Sequence, residues 1–122
     1  MESDYNQIFR ERTKKLCISM IKSLSVLPYS DDLSVIRKQV YRSSTSVAAN
    51  YIAMGRARSQ NEKFSKLCIV VEEADETQFW LELIEELNYL NGKELENLKK
   101  ECEEIVKVMT SYKKKLSERS PK

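Results

Sequence analysis

The side chains in this sequence best equipped for chemistry are one arginine and a set of carboxylates at helical spacing. Gln39, Arg42, Ser46 and Asn50 follow each other at steps of three and four residues, a polar stripe down one face of a helix. Glu73, Glu76, Thr77 and Trp80 stack in the same way on a second helical segment. Side by side, the two stripes would let the Arg42 guanidinium pair with Glu73 or Glu76. A guanidinium without a partner in a buried or interfacial position is costly, so two nearby carboxylates make physical sense. The expectation is a hydrogen-bond network of Gln39, Arg42, Ser46, Asn50, Glu73 and Glu76 that fixes the register of two helices. Two other readings stay open: a ligand pocket between the helices, and an enzyme using the Arg42, Glu73 and Glu76 region.

Glu72, Glu73, Asp75 and Glu76 could suggest a carboxylate metal centre. Di-iron helical bundles draw glutamates from several helices and add Glu-x-x-His pairs, and this chain has no histidine. The same absence removes Ser-His-Asp and Cys-His nucleophilic chemistry, the commonest general base, and helical nucleases built on an Arg/His motif. No glycine-rich loop is present to cradle a phosphate. Neither a metal nor a cofactor is expected, and the reading is non-catalytic.

Basic residues form three groups: Arg10, Arg12, Lys14 and Lys15; then Arg37, Lys38, Arg56 and Arg58; then Lys113, Lys114 and Lys115. They could be solvated helix faces. They could equally bind RNA or DNA through phosphates, largely independent of base sequence, since no recognition motif is visible. In a ring-like assembly each patch would be repeated in every subunit, so weak contacts would add. Charge is segregated along the chain. Residues 1–66 carry 12 Lys/Arg against 6 Asp/Glu, residues 67–104 carry 3 against 12, and residues 105–122 carry 6 against 1. Such blocks suit a basic face or charge pairing between helices or subunits.

The elements that must position these groups read as four helices. Only two glycines and two prolines occur, and a third of the residues are charged, a composition of long helices packed on one another. The first segment, about 4–27, carries Phe9, Leu16, Met20, Leu24 and Leu27, with Tyr5, Cys17 and Ile21 widening the stripe, and Pro28 ends it. The second, about 31–57, follows Ser30 as a capping residue and buries Leu33, Ile36, Val40, Val47, Tyr51 and Met54, with Ser43 or Ser44 filling one step. Small residues at 43–46, 48 and 49 permit close helix approach. The third, about 60–91, opens on a capping box with Ser59 and Glu62, and Asn91-Gly92 is the expected stop. Its core stripe is Phe64, Leu67, Val71, Ala74, Leu81, Ile84 and Leu87. Ile69, Val70, Phe79 and Trp80 lie off that stripe, so the helix should be covered on two sides. Phe79 and Trp80 are candidate anchors of a subunit contact. The fourth, about 93–116, repeats Leu95, Leu98, Cys102, Ile105, Met109, Tyr112 and Leu116 at steps of three and four, and residues 117–122 read as a frayed tail. The expected fold is all-α: one domain, an antiparallel up-down-up-down four-helix bundle of roughly 35–45 Å.

Cys17, Cys68 and Cys102 are odd in number and far apart, each in an apolar helical stretch, as free thiols in a reducing compartment would be. The polar start MESDYNQIFRERTKK has no apolar core of a signal peptide, and no window approaches the ~18 apolar residues of a membrane span. A cytoplasmic protein with no membrane partner is expected.

The run RSSTSVAANY (Arg42 to Tyr51), RARS (Arg56 to Ser59), Phe64 with Lys66 and Leu67, and EEADET followed by FWLEL (Glu72 to Leu83) resembles a bacterial four-helix-bundle family. Its founding members are encoded by intervening sequences within large-subunit ribosomal RNA genes, and it includes the accessory variability proteins of diversity-generating retroelements. The resemblance covers about Phe9 to Leu116. It implies a bundle assembled as a ring-like homopentamer and, in the retroelement branch, a basic barrel that binds nucleic acid and a reverse transcriptase. Many members read Asn-Ile-Ala-Glu-Gly in the second helix. Here Asn50-Tyr51-Ile52-Ala53-Met54-Gly55 lacks that glutamate, which places the chain in another branch.

Overall fold

A computed structural model describes the backbone of residues 2–119 and the side chains of residues 6–118. The expectation for Tyr5 as a core side chain and that for a frayed end at residues 120–122 lie outside the described residues. Four helices are present: α1 (Glu2–Ser25), α2 (Asp31–Met54), α3 (Gln60–Glu86) and α4 (Gly92–Arg119), with no strand among the described residues. Consecutive helices pack side by side, α4 returns against α1 most sparsely, and α1 and α3 stand diagonally, with no Cα atoms of the two within 8 Å. Neighbours run antiparallel, because early residues of one meet late residues of the next. Lys63 lies by Tyr112 while Glu85 meets Lys99, and Arg12 meets Glu101 while Ser23 meets Glu94.

Helix ends follow local chemistry. The Leu33 N–H donates to Ser30 Oγ at 3.1 Å and the Glu62 N–H donates to Ser59 Oγ at 3.1 Å, each satisfying an amide that the first turn would leave open. Asp31 and Asp32 add negative charge at the α2 N-terminus, favoured by the helix dipole. The largest departure from the sequence expectation is the end of α3, which stops at Glu86 rather than near Asn91. Asn88 adopts φ 60°, the Asn88 N–H donates to Glu85 O at 3.0 Å and the Tyr89 N–H to Ile84 O at 3.1 Å. That is a Schellman closure with asparagine in the left-handed position usually held by glycine. Leu87, expected in the core, consequently lies past the last turn, half exposed. Gly92, at φ 74°, opens α4 instead of ending α3. Helix α2 ends at Met54, three residues earlier than expected. Helix α4 continues to Arg119, so residues 117–119 are helical and not frayed.

The core runs the length of the bundle. Phe9, Leu16, Met20 and Leu24 of α1 meet Ile36, Val40, Val47 and Tyr51 of α2. Leu67, Val70, Ala74, Leu81 and Ile84 of α3 and Leu95, Cys102, Ile105 and Met109 of α4 complete it. Phe64 and Tyr112, expected within the core stripes, are partly buried against it. Burying these side chains supplies the main driving force, at about 1.5–3 kcal/mol for each large one. The buried threonine and serine hydroxyls are hydrogen-bonded, whereas Tyr41 Oη is buried without a hydrogen-bond partner among the described residues. Thr13, fully buried, donates to Phe9 O at 2.7 Å. Thr77 and Ser43, both fully buried, join α3 to α2 with their hydroxyl oxygens 2.8 Å apart, and Thr77 Oγ1 also lies 2.8 Å from Glu73 O.

Candidate functional site

Two places in the molecule concentrate polar chemistry: a network across the α2–α3 surface and one end of the bundle. In the first, Arg42 takes position from α2 and faces two carboxylates one turn apart on α3. Its Nη1 lies 2.9 Å from Glu73 Oε2, and its Nη2 donates to Glu76 Oε2. Nε donates to Gln39 Oε1 at 3.2 Å, and the Trp80 indole N–H donates to the same Glu76 oxygen at 3.0 Å. The Trp80 indole and then the guanidinium hold the Glu76 carboxyl below its ordinary value, while Glu76 and Glu73 together raise that of Arg42. The network is not buried in the single chain: 48% of the Arg42 side chain is open to solvent. Ser46 and Asn50 form a separate pair. Asn50 Nδ2 donates to Ser46 O and Oγ within α2, at 2.9 and 3.0 Å, and neither is seen bonded to Arg42 or the carboxylates. The groups gathered on the guanidinium are the Gln39 amide oxygen and the two carboxylates, all engaged in pairing it. No group of three or more His, Cys, Asp or Glu among the described residues is placed to hold a metal ion.

Beside this network, Phe79 is 51% exposed and meets Trp80 edge to face with centroids 4.9 Å apart. Trp80 itself is half-buried against the core.

The second place is the end where α1 and α3 begin and α2 and α4 finish. Arg10 on α1 and Arg56 after α2 line one small hollow of about 140 Å³ with Asn6 and Gln7. Arg58 in the α2–α3 connection and Lys63 in the first turns of α3 line an adjacent concavity of about 480 Å³ with Ser59 and Gln60. Asn6 and Gly55 border both. The Lys63 ammonium stands 5.6 Å from the Tyr112 ring centroid, which brings the last turns of α4, with Lys113, Lys114 and Lys115, to the same end. The antiparallel topology thus gathers basic residues from three distant parts of the sequence.

The remaining members of the basic groups are elsewhere or already engaged. Arg12 makes a two-pronged pair with Glu101 at 2.7 and 2.8 Å and lies over the Phe9 ring. Arg37 donates to the carbonyls of Leu24, Leu27 and Pro28, closing the C-terminus of α1. Lys14, Lys15 and Lys38 are exposed along the bundle sides. Lys63 was missed by the sequence reading, although its place after the Ser59 cap puts it one turn from Arg58. A third hollow, of about 660 Å³, runs between α1 and α4 where the small Ser19 and Ser23 leave the seam underfilled.

Four antiparallel helices around a continuous core define an all-α four-helix-bundle protein. The chain belongs to the 23S rRNA-intervening sequence protein family, whose family model matches residues 6–111. Among solved structures it is similar to a crystal structure of a protein of unknown function from the S23 ribosomal protein family of Bacteroides thetaiotaomicron. The two share 27% identity at a TM-score of 0.79, over 89% of this chain and 97% of that one. No curated protein matches. Among the described residues no helix is long and apolar enough to cross a membrane.

Proposed function

We propose that this chain is a non-catalytic, homo-oligomeric helical-bundle protein that binds the backbone of RNA or DNA through its basic end. The observation that carries the reading is the convergence of Arg10, Arg56 and Arg58 beside amide and hydroxyl donors from Asn6, Ser59 and Gln60, at the end where the Lys63–Tyr112 contact also brings the last turns of α4 with Lys113–Lys115. Such a surface suits phosphates, which need cations and neutral donors but no base-specific geometry. The family name points to 23S ribosomal RNA as the nucleic acid to test first. Assembly is supported by exposed Phe79 beside half-buried Trp80, an aromatic pair of the kind that anchors subunit contacts. A ring of five, the number the resemblance implies, would set several basic ends side by side.

The test is binding of labelled RNA and DNA oligonucleotides across a salt titration. Binding should weaken steeply as salt rises, with each neutralised phosphate contributing roughly 0.7–0.9 to the log–log slope. Replacing Lys113, Lys114 and Lys115 with glutamine should lower that slope by roughly 2. Binding that is absent at low salt, or unchanged in the triple variant, contradicts the assignment and favours a purely protein-binding scaffold.

A further inference from the structure

We propose that α3 of one copy docks on α1 of the next through two stripes of matching spacing and opposite charge. This rests on the homo-oligomer reading above and specifies which faces meet.

The acidic stripe comes from a stretch with no counter-charge of its own. Residues 67–92 contain no lysine or arginine. Arg42 engages Glu73 and Glu76, and Lys99 engages Glu85 at 2.6 Å. Glu72, Asp75, Glu82 and Glu86 remain exposed, and no ion pair among the described residues uses them. With Phe79 they form one line along α3 at alternating steps of three and four, so exposed Phe79 sits between Asp75 and Glu82.

Helix α1 carries the complement. Ile18, 42% exposed, sits between Lys15 and Lys22, again at steps of three and four. Neither lysine is in an ion pair among the described residues. Each stripe places its charges one heptad apart, about 10.5 Å along the axis. Laid antiparallel, Asp75 meets Lys22, Phe79 meets Ile18 and Glu82 meets Lys15; the matched stretch ends there, because the next step sets Glu86 opposite Glu11. Within one chain α1 and α3 are diagonal, with no Cα atoms of the two within 8 Å, and both stripes face solvent, so the stripes can meet only between copies. A contact joining two different faces is heterologous. It propagates from copy to copy and closes into a ring when the rotation permits, whereas a self-complementary contact stops at two.

The test uses the full chain and charge reversal at exposed positions, read by native mass spectrometry, with circular dichroism to verify folding. Asp75→Lys with Glu82→Lys should reduce the oligomer to monomer, and so should Lys15→Glu with Lys22→Glu. Combining all four substitutions in one chain should restore the wild-type oligomer mass. An oligomeric wild type whose double variants keep their mass, or a folded quadruple variant that stays monomeric, overturns the pairing alone. A monomeric wild type overturns the homo-oligomer reading and the pairing with it.

Discussion

Replacing Arg42 with alanine removes the cation that Glu73 and Glu76 both face. Half of the guanidinium side chain is open to water, so each ion pair is worth only about 0.2–1 kcal/mol, the range of solvent-screened pairs. The loss also leaves two like charges one turn apart, with the Glu73 side chain only 16% exposed, which adds a few tenths of a kcal/mol. The expected destabilisation is therefore about 1–2 kcal/mol. At about 3–5 °C per kcal/mol for a chain of this size, the melting midpoint should fall by about 3–10 °C. The pH dependence has a definite sign. Because the folded Glu76 carboxyl lies below its ordinary value of 4.5, its contribution is present above that value and lost as pH falls through the folded one. The difference between wild type and Arg42→Ala should be full at neutral pH and shrink below pH 4.5. Thermal melts by circular dichroism at several pH values, with oligomer mass measured in parallel, provide the check. If Arg42→Ala leaves both midpoint and mass unchanged, the network does not lock α2 against α3. If it abolishes a turnover while the bundle stays intact, the enzyme reading takes its place.

Three further outcomes follow from the packing. Thr77→Val and Ser43→Ala should each cost about 1–2 kcal/mol in chemical denaturation, and the double variant should cost less than their sum, because removing both buried hydroxyls leaves none unsatisfied. Cys102 is fully buried and its thiol is pushed up to about 12, mainly by burial. A thiol reagent should therefore label half-buried Cys68 in the native protein and reach Cys102 only on unfolding, and equal labelling rates would contradict the packing. Asn88→Ala should destabilise by about 1 kcal/mol because alanine tolerates the left-handed backbone poorly, whereas Asn88→Gly should not destabilise; equal melting midpoints for the two would contradict the closure of α3.

The four helices and most of their buried stripes were legible because apolar periodicity is strong. Leu95, Leu98, Cys102, Ile105, Met109 and Leu116 are all buried as their spacing requires. Thr13 was not legible as core, since its hydroxyl looks polar until it is seen bonding within its own turn to Phe9 O. The end of α3 was misplaced because Asn91-Gly92 is the stronger textual stop, while Asn88 three residues earlier takes the left-handed backbone. The site was legible only in part. Spacing placed Arg42 opposite Glu73 and Glu76, but it grouped Ser46 and Asn50 with them although their hydrogen bonds stay within α2. It also counted Arg12 and Arg37 as surface cations. Their partners, Glu101 and the Leu24, Leu27 and Pro28 carbonyls, come from other elements and only the fold reveals them.

The central claim, an oligomer whose basic end carries nucleic acid, is tested most directly by native mass spectrometry of the protein purified without nuclease. The account predicts a defined oligomer bearing extra mass that nuclease removes and that the Lys113–Lys115 glutamine variant fails to retain. A nucleic-acid-free oligomer at low salt would contradict the binding half of the claim, and a monomer would contradict the assembly on which both stripes depend.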